Sequence, residues 1–150
     1  MIFILTAGVI LKNSVGPSVY SFDADNVHFS MLDSANGILG EAQLEWLKDD
    51  LASTSQPVKI VVTHYSPWTG RFLKLWAMSS DEEAAILKDI AYTYDVNLVL
   101  AGHYHGYINH IIGRTQYVTT GGVNKLIDFG ESKHFIRVLV NGSDVSVQKV

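Results

Sequence analysis

Asn97-Leu98-Val99-Leu100-Ala101-Gly102-His103-Tyr104-His105-Gly106 is an apolar run that stops at two imidazoles bracketed by glycines. The run has the length and composition of a buried strand. Upstream, Val58 to Val62 is a second run of the same character, and it leads into Thr63-His64-Tyr65-Ser66-Pro67. Two imidazole-bearing segments therefore follow the carboxyl ends of two predicted strands. A helix-like stretch separates the strands, so they are expected to be parallel, with their ends on one edge of a sheet. Open α/β sheets place ligands at that edge.

In an extended His-x-His segment the two side chains point the same way, roughly 6.5 to 7 Å apart along the chain. That separation suits ligands of two adjacent metal ions, which in dinuclear hydrolases lie about 3.5 to 4 Å apart. Gly102 and Gly106 are expected to let the backbone turn sharply and approach a metal or phosphate closely. Imidazole accepts zinc, iron, copper or nickel, so ligand type alone does not choose the metal. Two solvated histidines on a surface loop are the plainer alternative. The flanking glycines, the buried strand and the second strand-end histidine, His64, favour metal.

The run V-V-T-H-Y-S-P, then L-V-L-A-G-H-Y-H-G-Y, then Y-V-T-T-G-G resembles the C-terminal half of a calcineurin-like metallophosphoesterase. G-P-S-V-Y-S-F-D-A-D-N-V-H-F-S-M-L-D-S and Q-L-E-W-L-K-D-D-L are similar to the middle section of that superfamily, with purple acid phosphatases and cyclic-nucleotide phosphodiesterases the nearest branches. The resemblance runs from about Gly16 to Gly122, and its G-H-x-H element is the specific part. It implies an α/β fold, a mixed β-sheet with flanking helices forming the C-terminal half of an αββα sandwich. It also implies a metal-dependent phosphoesterase using divalent ions (Zn, Mn or Fe), with His64 and His103 on one metal and His105 on the other. The family's upstream motifs, D-x-H, G-D-x-x-D or G-D-x-x-Y, and G-N-H-D/E, do not occur in these 150 residues. The expected site is therefore truncated, lacking the bridging aspartate, the asparagine ligand, the first Asp/His pair and the acid histidine. No catalytic residue is assigned.

Composition sets outer bounds. A chain of 150 residues suits a single, here partial, domain, and a formal charge of −4 argues against bulk nucleic-acid or anionic-membrane binding. The charged fraction is 17%, below the roughly 25% usual for soluble domains. With 47% hydrophobic residues, some apolar surface is expected to meet another chain, as a homo-oligomer or with a separately encoded N-terminal half. Cysteine is absent, so there is no disulfide. Met1 to Leu11 is apolar yet too short to span a bilayer and lacks a basic start and a clear cleavage site, so a strand or an abbreviated remnant of an upstream region is expected there, with a short helix the alternative because Gly8 weakens the strand. A cytoplasmic location is expected.

The remaining segments supply expectations to be tested. Val19 to Phe22 and Val27 to Leu32 read as a hairpin across Asp23-Ala24-Asp25-Asn26. Within it His28 is expected to be packed rather than ligating, and Asp33 to form a turn. Leu44, Leu47 and Leu51 give one stripe on a helix from about Glu41 to Ala52. Ser80-Asp81-Glu82-Glu83 reads as a capping box opening a helix that continues to about Tyr94. Strands are expected at 107–112, 116–120, 135–140 and 144–150, the last two joined at Asn141-Gly142. His110 reads as an exposed strand residue, and His134 has no evident partner. The loop Ser66 to Met78 holds Trp68, Phe72, Leu75 and Trp76, with Arg71 and Lys74 as its cations. Trp68 and Arg71 are the candidates for substrate contact, one as a wall and one as a phosphate ligand; the alternatives are that the loop aromatics cover the core or meet a partner, and that Arg71 and Lys74 are solvated. Two functions follow: a phosphoesterase acting on a phosphate ester, or an inactive remnant serving as an interaction module with a partner chain.

Overall fold

Residues 2–5, 17–70, 74–121 and 132–150 are described by the computed structural model. Its elements in chain order are β1 (Ile2–Leu5), β2 (Tyr20–Ala24), β3 (Val27–Met31), α1 (Glu41–Ser53), β4 (Val58–Thr63), α2 (Asp81–Thr93), β5 (Leu98–Ala101), β6 (Tyr107–Ile112), β7 (Thr115–Thr120), β8 (Ile136–Asn141) and β9 (Asp144–Lys149). A single 3-10 turn, Lys74–Trp76, lies between β4 and α2.

The apolar runs Val58 to Val62 and Leu98 to Ala101 become neighbouring central strands because both of their faces are covered. Six strands form one sheet in the order β2-β3-β4-β5-β7-β6, and three form a smaller sheet, β1-β8-β9. Strands β3, β4, β5 and β7 are mutually parallel, while β2 and β6 are antiparallel edges. On one face, Leu44, Leu47 and Leu51 of α1 and Leu87, Ile90 and Ala91 of α2 pack with Val61, Val99 and Tyr117. On the other, Ile136, Val138 and Val140 of β8 pack with Val27, Phe29, Val58, Ile60, Leu98, Leu100 and Val118. Full burial of each such side chain contributes about 1.5–3 kcal/mol. The result is a mixed α/β fold of three layers, with helices outside a mixed sheet and a second sheet beneath, as the sequence implied.

Several local expectations change in detail. The N-terminal strand runs from Ile2 to Leu5, and the rest of the Met1–Leu11 segment lies outside the described residues. The first hairpin closes through Asp25 and Asn26 alone, Asp25 at φ 54. The last turns at Gly142-Ser143 rather than Asn141-Gly142, because Asn141 pairs with Asp144 and Gly142 takes φ 60. Ser80 does cap α2, its Oγ accepting from the Glu83 amide at 3.2 Å. Glu83, however, does not complete the box. Its carboxylate accepts instead from the amides of Leu39 at 2.7 Å and Gly40 at 3.1 Å. Gly40 opens α1 without a side chain of its own, so the carboxylate from α2 satisfies that entry. No helix among the described residues is long and apolar enough to cross a membrane.

Candidate active site

The parallel strands bring the ends of β3, β4, β5 and β7 to one sheet edge. Leu32 to Ser34 leaves β3 there, His64 follows β4, Gly102 to Gly106 follows β5, and Gly121 follows β7. The Gly102 amide donates to the His64 carbonyl at 3.0 Å, which ties the two histidine segments together.

His64 is held from below by Ser34, for which the sequence raised no expectation. The Ser34 side chain is fully buried, and its Oγ accepts from the amides of His64 at 3.1 Å and Tyr65 at 2.9 Å. With both lone pairs engaged, the hydroxyl donates to Thr63 Oγ1 at 2.7 Å. Asp33 forms the expected turn, accepting from the Ala35 amide. A serine beside a strand-end aspartate gives no sequence signal for this role, because it depends on two strands meeting.

The Gly102–Gly106 segment is not extended. Tyr104 N–H donates to the Gly102 carbonyl at 2.8 Å, and the residue between them, His103, takes φ 63. An i→i+2 bond around positive φ is a γ-turn of the rarer, strained hand. The left-handed residue is thus the histidine, not a flanking glycine, and the spacing argument for an extended His-x-His does not apply. Glycine serves elsewhere in the loop. A Cβ on Gly106 would lie 2.5 Å from the Tyr104 ring, and one on Gly121 would lie 2.9 Å from His105 Cα and the Tyr104 carbonyl. The end of β7 therefore presses against the backbone of the histidine loop.

These constraints set His64 Nε2 3.3 Å from His103 Nδ1. Two nitrogens bound to one tetrahedral ion at about 2.05 Å would lie about 3.3 Å apart. The pair thus has the spacing of two ligands on one ion, and equally that of a long N–H···N contact. Burial by the surrounding segments, and secondarily the His105 charge, lower the pKa of His64 below 6.5, though part of the residue stays in water. Among the described residues no three His, Cys, Asp or Glu side chains are grouped to hold a metal ion. The donor set thus fits part of one ion's shell, and supplies no carboxylate to balance two.

Aromatic rings surround His103. The Tyr65 ring lies over it with centroids 3.7 Å apart and planes at 31°. Trp76 stands 5.6 Å from His103 and 6.0 Å from Tyr104. Trp68 stacks on His110 at 4.0 Å and 12°, on β6. Arg71 lies outside the described residues. Lys74 pairs with Asp81 at 2.6 Å on the surface.

Two further histidines, His28 and His134, are structural. His28 is buried, with Nδ1 2.7 Å from Asp23 and Nε2 3.0 Å from Asp50. His134 does have partners: Nδ1 donates to the Ser132 carbonyl at 2.8 Å, and Nε2 meets Thr120 Oγ1 at 3.1 Å.

The structure thus sets a strand-end histidine pair at the carboxyl edge of a two-sheet α/β fold. The chain belongs to the calcineurin-like phosphoesterase family, whose sequence model matches residues 5–107. It is 34% identical over 120 residues to purple acid phosphatase 23 of Arabidopsis thaliana, covering 68% of this chain and 24% of that protein. It is 31% identical over 128 residues to purple acid phosphatase 13 of the same plant, covering 77% and 23%. The chain thus spans about a quarter of the length of these relatives. Among solved structures, a purple acid phosphatase from yellow lupin (Lupinus luteus) seeds superposes with TM-score 0.66 at 18% identity, covering 87% of this chain and 30% of that one. The structure of PhoD superposes with TM-score 0.61 at 13% identity, covering 97% and 43%. At such identities these structures speak for the fold alone.

Proposed function

We propose that this chain carries the C-terminal part of a metal-dependent phosphoesterase site, in which His64 and His103 share one divalent ion and His105 serves a second. The observation that carries the reading is the 3.3 Å approach of His64 Nε2 to His103 Nδ1 at the carboxyl edge of the sheet. Family membership and the purple acid phosphatase relatives support the phosphate-ester class of substrate and the need for a metal, with Zn, Mn or Fe as candidates. When bound, such an ion supplies positive charge to the phosphate and acidifies a water. The chain's own residues do the positioning. Ser34 fixes the turn that aims His64, the γ-turn at His103 aims the second ring, and Tyr65 shields that ring from solvent. Trp68 and Arg71 stay assigned to substrate contact.

The site of this chain is read as incomplete by itself, because three imidazoles do not offset two divalent cations. The alternative, an interaction module without activity, is favoured by the lack of a three-residue ligand group among the described residues. A manganese- or zinc-supplemented assay with an aryl phosphate separates them. Slow turnover that vanishes in His103→Ala is the expected result. No turnover, with no metal-dependent binding of inorganic phosphate, would favour the module. Turnover on the order of 10 per second would show that the site is complete without further ligands.

A further inference from the structure

We infer that His134, just ahead of β8, is a positioning residue that clamps the Gly102–Gly106 histidine loop from the small-sheet side. The purpose of the clamp rests on the phosphoesterase reading of the same edge.

His134 is buried, and its partners fix which nitrogen carries the hydrogen. Nδ1 lies 2.8 Å from the Ser132 carbonyl, which only accepts, so the hydrogen of the neutral ring sits there. Nε2 is then an acceptor, and the buried Thr120 hydroxyl, 3.1 Å away, donates to it. The Tyr107 ring meets the imidazole edge to face, with centroids 5.7 Å apart and planes at 82°. The small sheet fixes the place of His134 itself. Phe135 exchanges both backbone hydrogen bonds with Val150, at 3.1 and 2.9 Å, and Ile136 is buried between the two sheets.

Thr120 and Tyr107 are the strand ends that bracket the loop on its downstream side. They are register partners, Tyr107 opening β6 directly after Gly106 and Thr120 closing β7 directly before Gly121. Gly121 in turn packs so close to the loop that a Cβ there would lie 2.9 Å from His105 Cα and the Tyr104 carbonyl. One imidazole thus touches both downstream supports, while the hydrogen bond from Gly102 to His64 holds the upstream side. The loop needs such supports, because a left-handed residue other than glycine, here His103, persists only where its surroundings over-determine it. Loss of the Thr120–His134 bond should therefore loosen the turn that aims His103, although neither residue is a proposed metal ligand.

Amide hydrogen exchange of the metal-free protein, read residue by residue by NMR, tests the clamp on Thr120→Val, which removes the hydroxyl and keeps its shape. The hydrogen-bonded amides of Gly102 and Tyr104 should exchange about two- to tenfold faster, the equivalent of one lost hydrogen bond. Thr120→Ser, which keeps a hydroxyl, should restore the wild-type rates. Amides of Val61 and Val99 in the central strands report global unfolding and serve as the reference. Faster exchange at these alone, or unchanged loop amides, would overturn the inference by showing a merely structural bond. Zinc titration followed by the ring resonances of His64 and His103 reads the purpose of the clamp. Thr120→Val should bind zinc about two- to tenfold more weakly than wild type, and equal affinity would overturn the positioning role. Loop amides that respond in a protein whose histidines bind no zinc would support the clamp and overturn the metal-site reading alone.

Discussion

Ser34 shows how much of the site depends on one buried hydroxyl. Removing it in Ser34→Ala leaves two amides, His64 and Tyr65, without their acceptor. Each unsatisfied buried group costs about 1–3 kcal/mol, partly recovered if water enters. Urea denaturation should therefore show a loss of about 1–3 kcal/mol, and metal affinity should fall although no proposed ligand has changed. His64 itself bears on pH. Its lowered pKa keeps the ring neutral below 6.5, so protons should begin to displace metal from it only at a more acid pH. The sequence showed the three histidines and their strand-end setting. It did not show Ser34, nor that Tyr65 covers His103, because both contacts join residues that only the assembled sheet edge brings together. The left-handed φ of His103 was hidden for a related reason: glycines on either side drew the expected turn to themselves.

At the scale of elements, pattern carried most of the reading. The parallel pair β4–β5, the leucine stripe of α1 and the serine cap of α2 follow from local composition and period. What local composition could not give was cross-element pairing, such as the Glu83 carboxylate reaching the entry of α1. The β2–β3 hairpin offers a further case, since His28 joins Asp23 of the hairpin to Asp50 of α1. Hydrogen bonds from the Gln56 amide and from His28 hold the Asp23 carboxyl below its ordinary value of 3.8. A depressed carboxyl contributes stability above its unfolded pKa and loses it as pH falls through the folded one. Asp23→Asn should therefore lower the urea midpoint at pH 6. The gap to wild type should narrow toward pH 3; a constant gap across that window would mean that the carboxylate charge plays no part.

For the whole molecule, the edges of the large sheet matter most. Among the described residues strand β2 is one edge, and its Tyr20 and Phe22 are 37% and 45% exposed, stacked in a row with the buried Phe29. Open edges of this kind template pairing with another chain. The chain is expected to associate through this edge with a second chain, a copy of itself or another protein, a reading that its low charged fraction also favours. Light scattering over a dilution series should give a mass above the 16.6 kDa of one chain. A cooperatively folded monomer at high concentration would show instead that the edge is closed from within.

The central claim is that His64 and His103 converge to share an ion. It is tested most directly by measuring bound metal after equilibrium dialysis of the wild-type protein and of His103→Ala against zinc or manganese, with circular dichroism confirming that both are folded. Wild type should retain metal near neutral pH and release it as the imidazoles protonate, and His103→Ala should lose it at the same free concentration. Equal metal in the two proteins would contradict the claim.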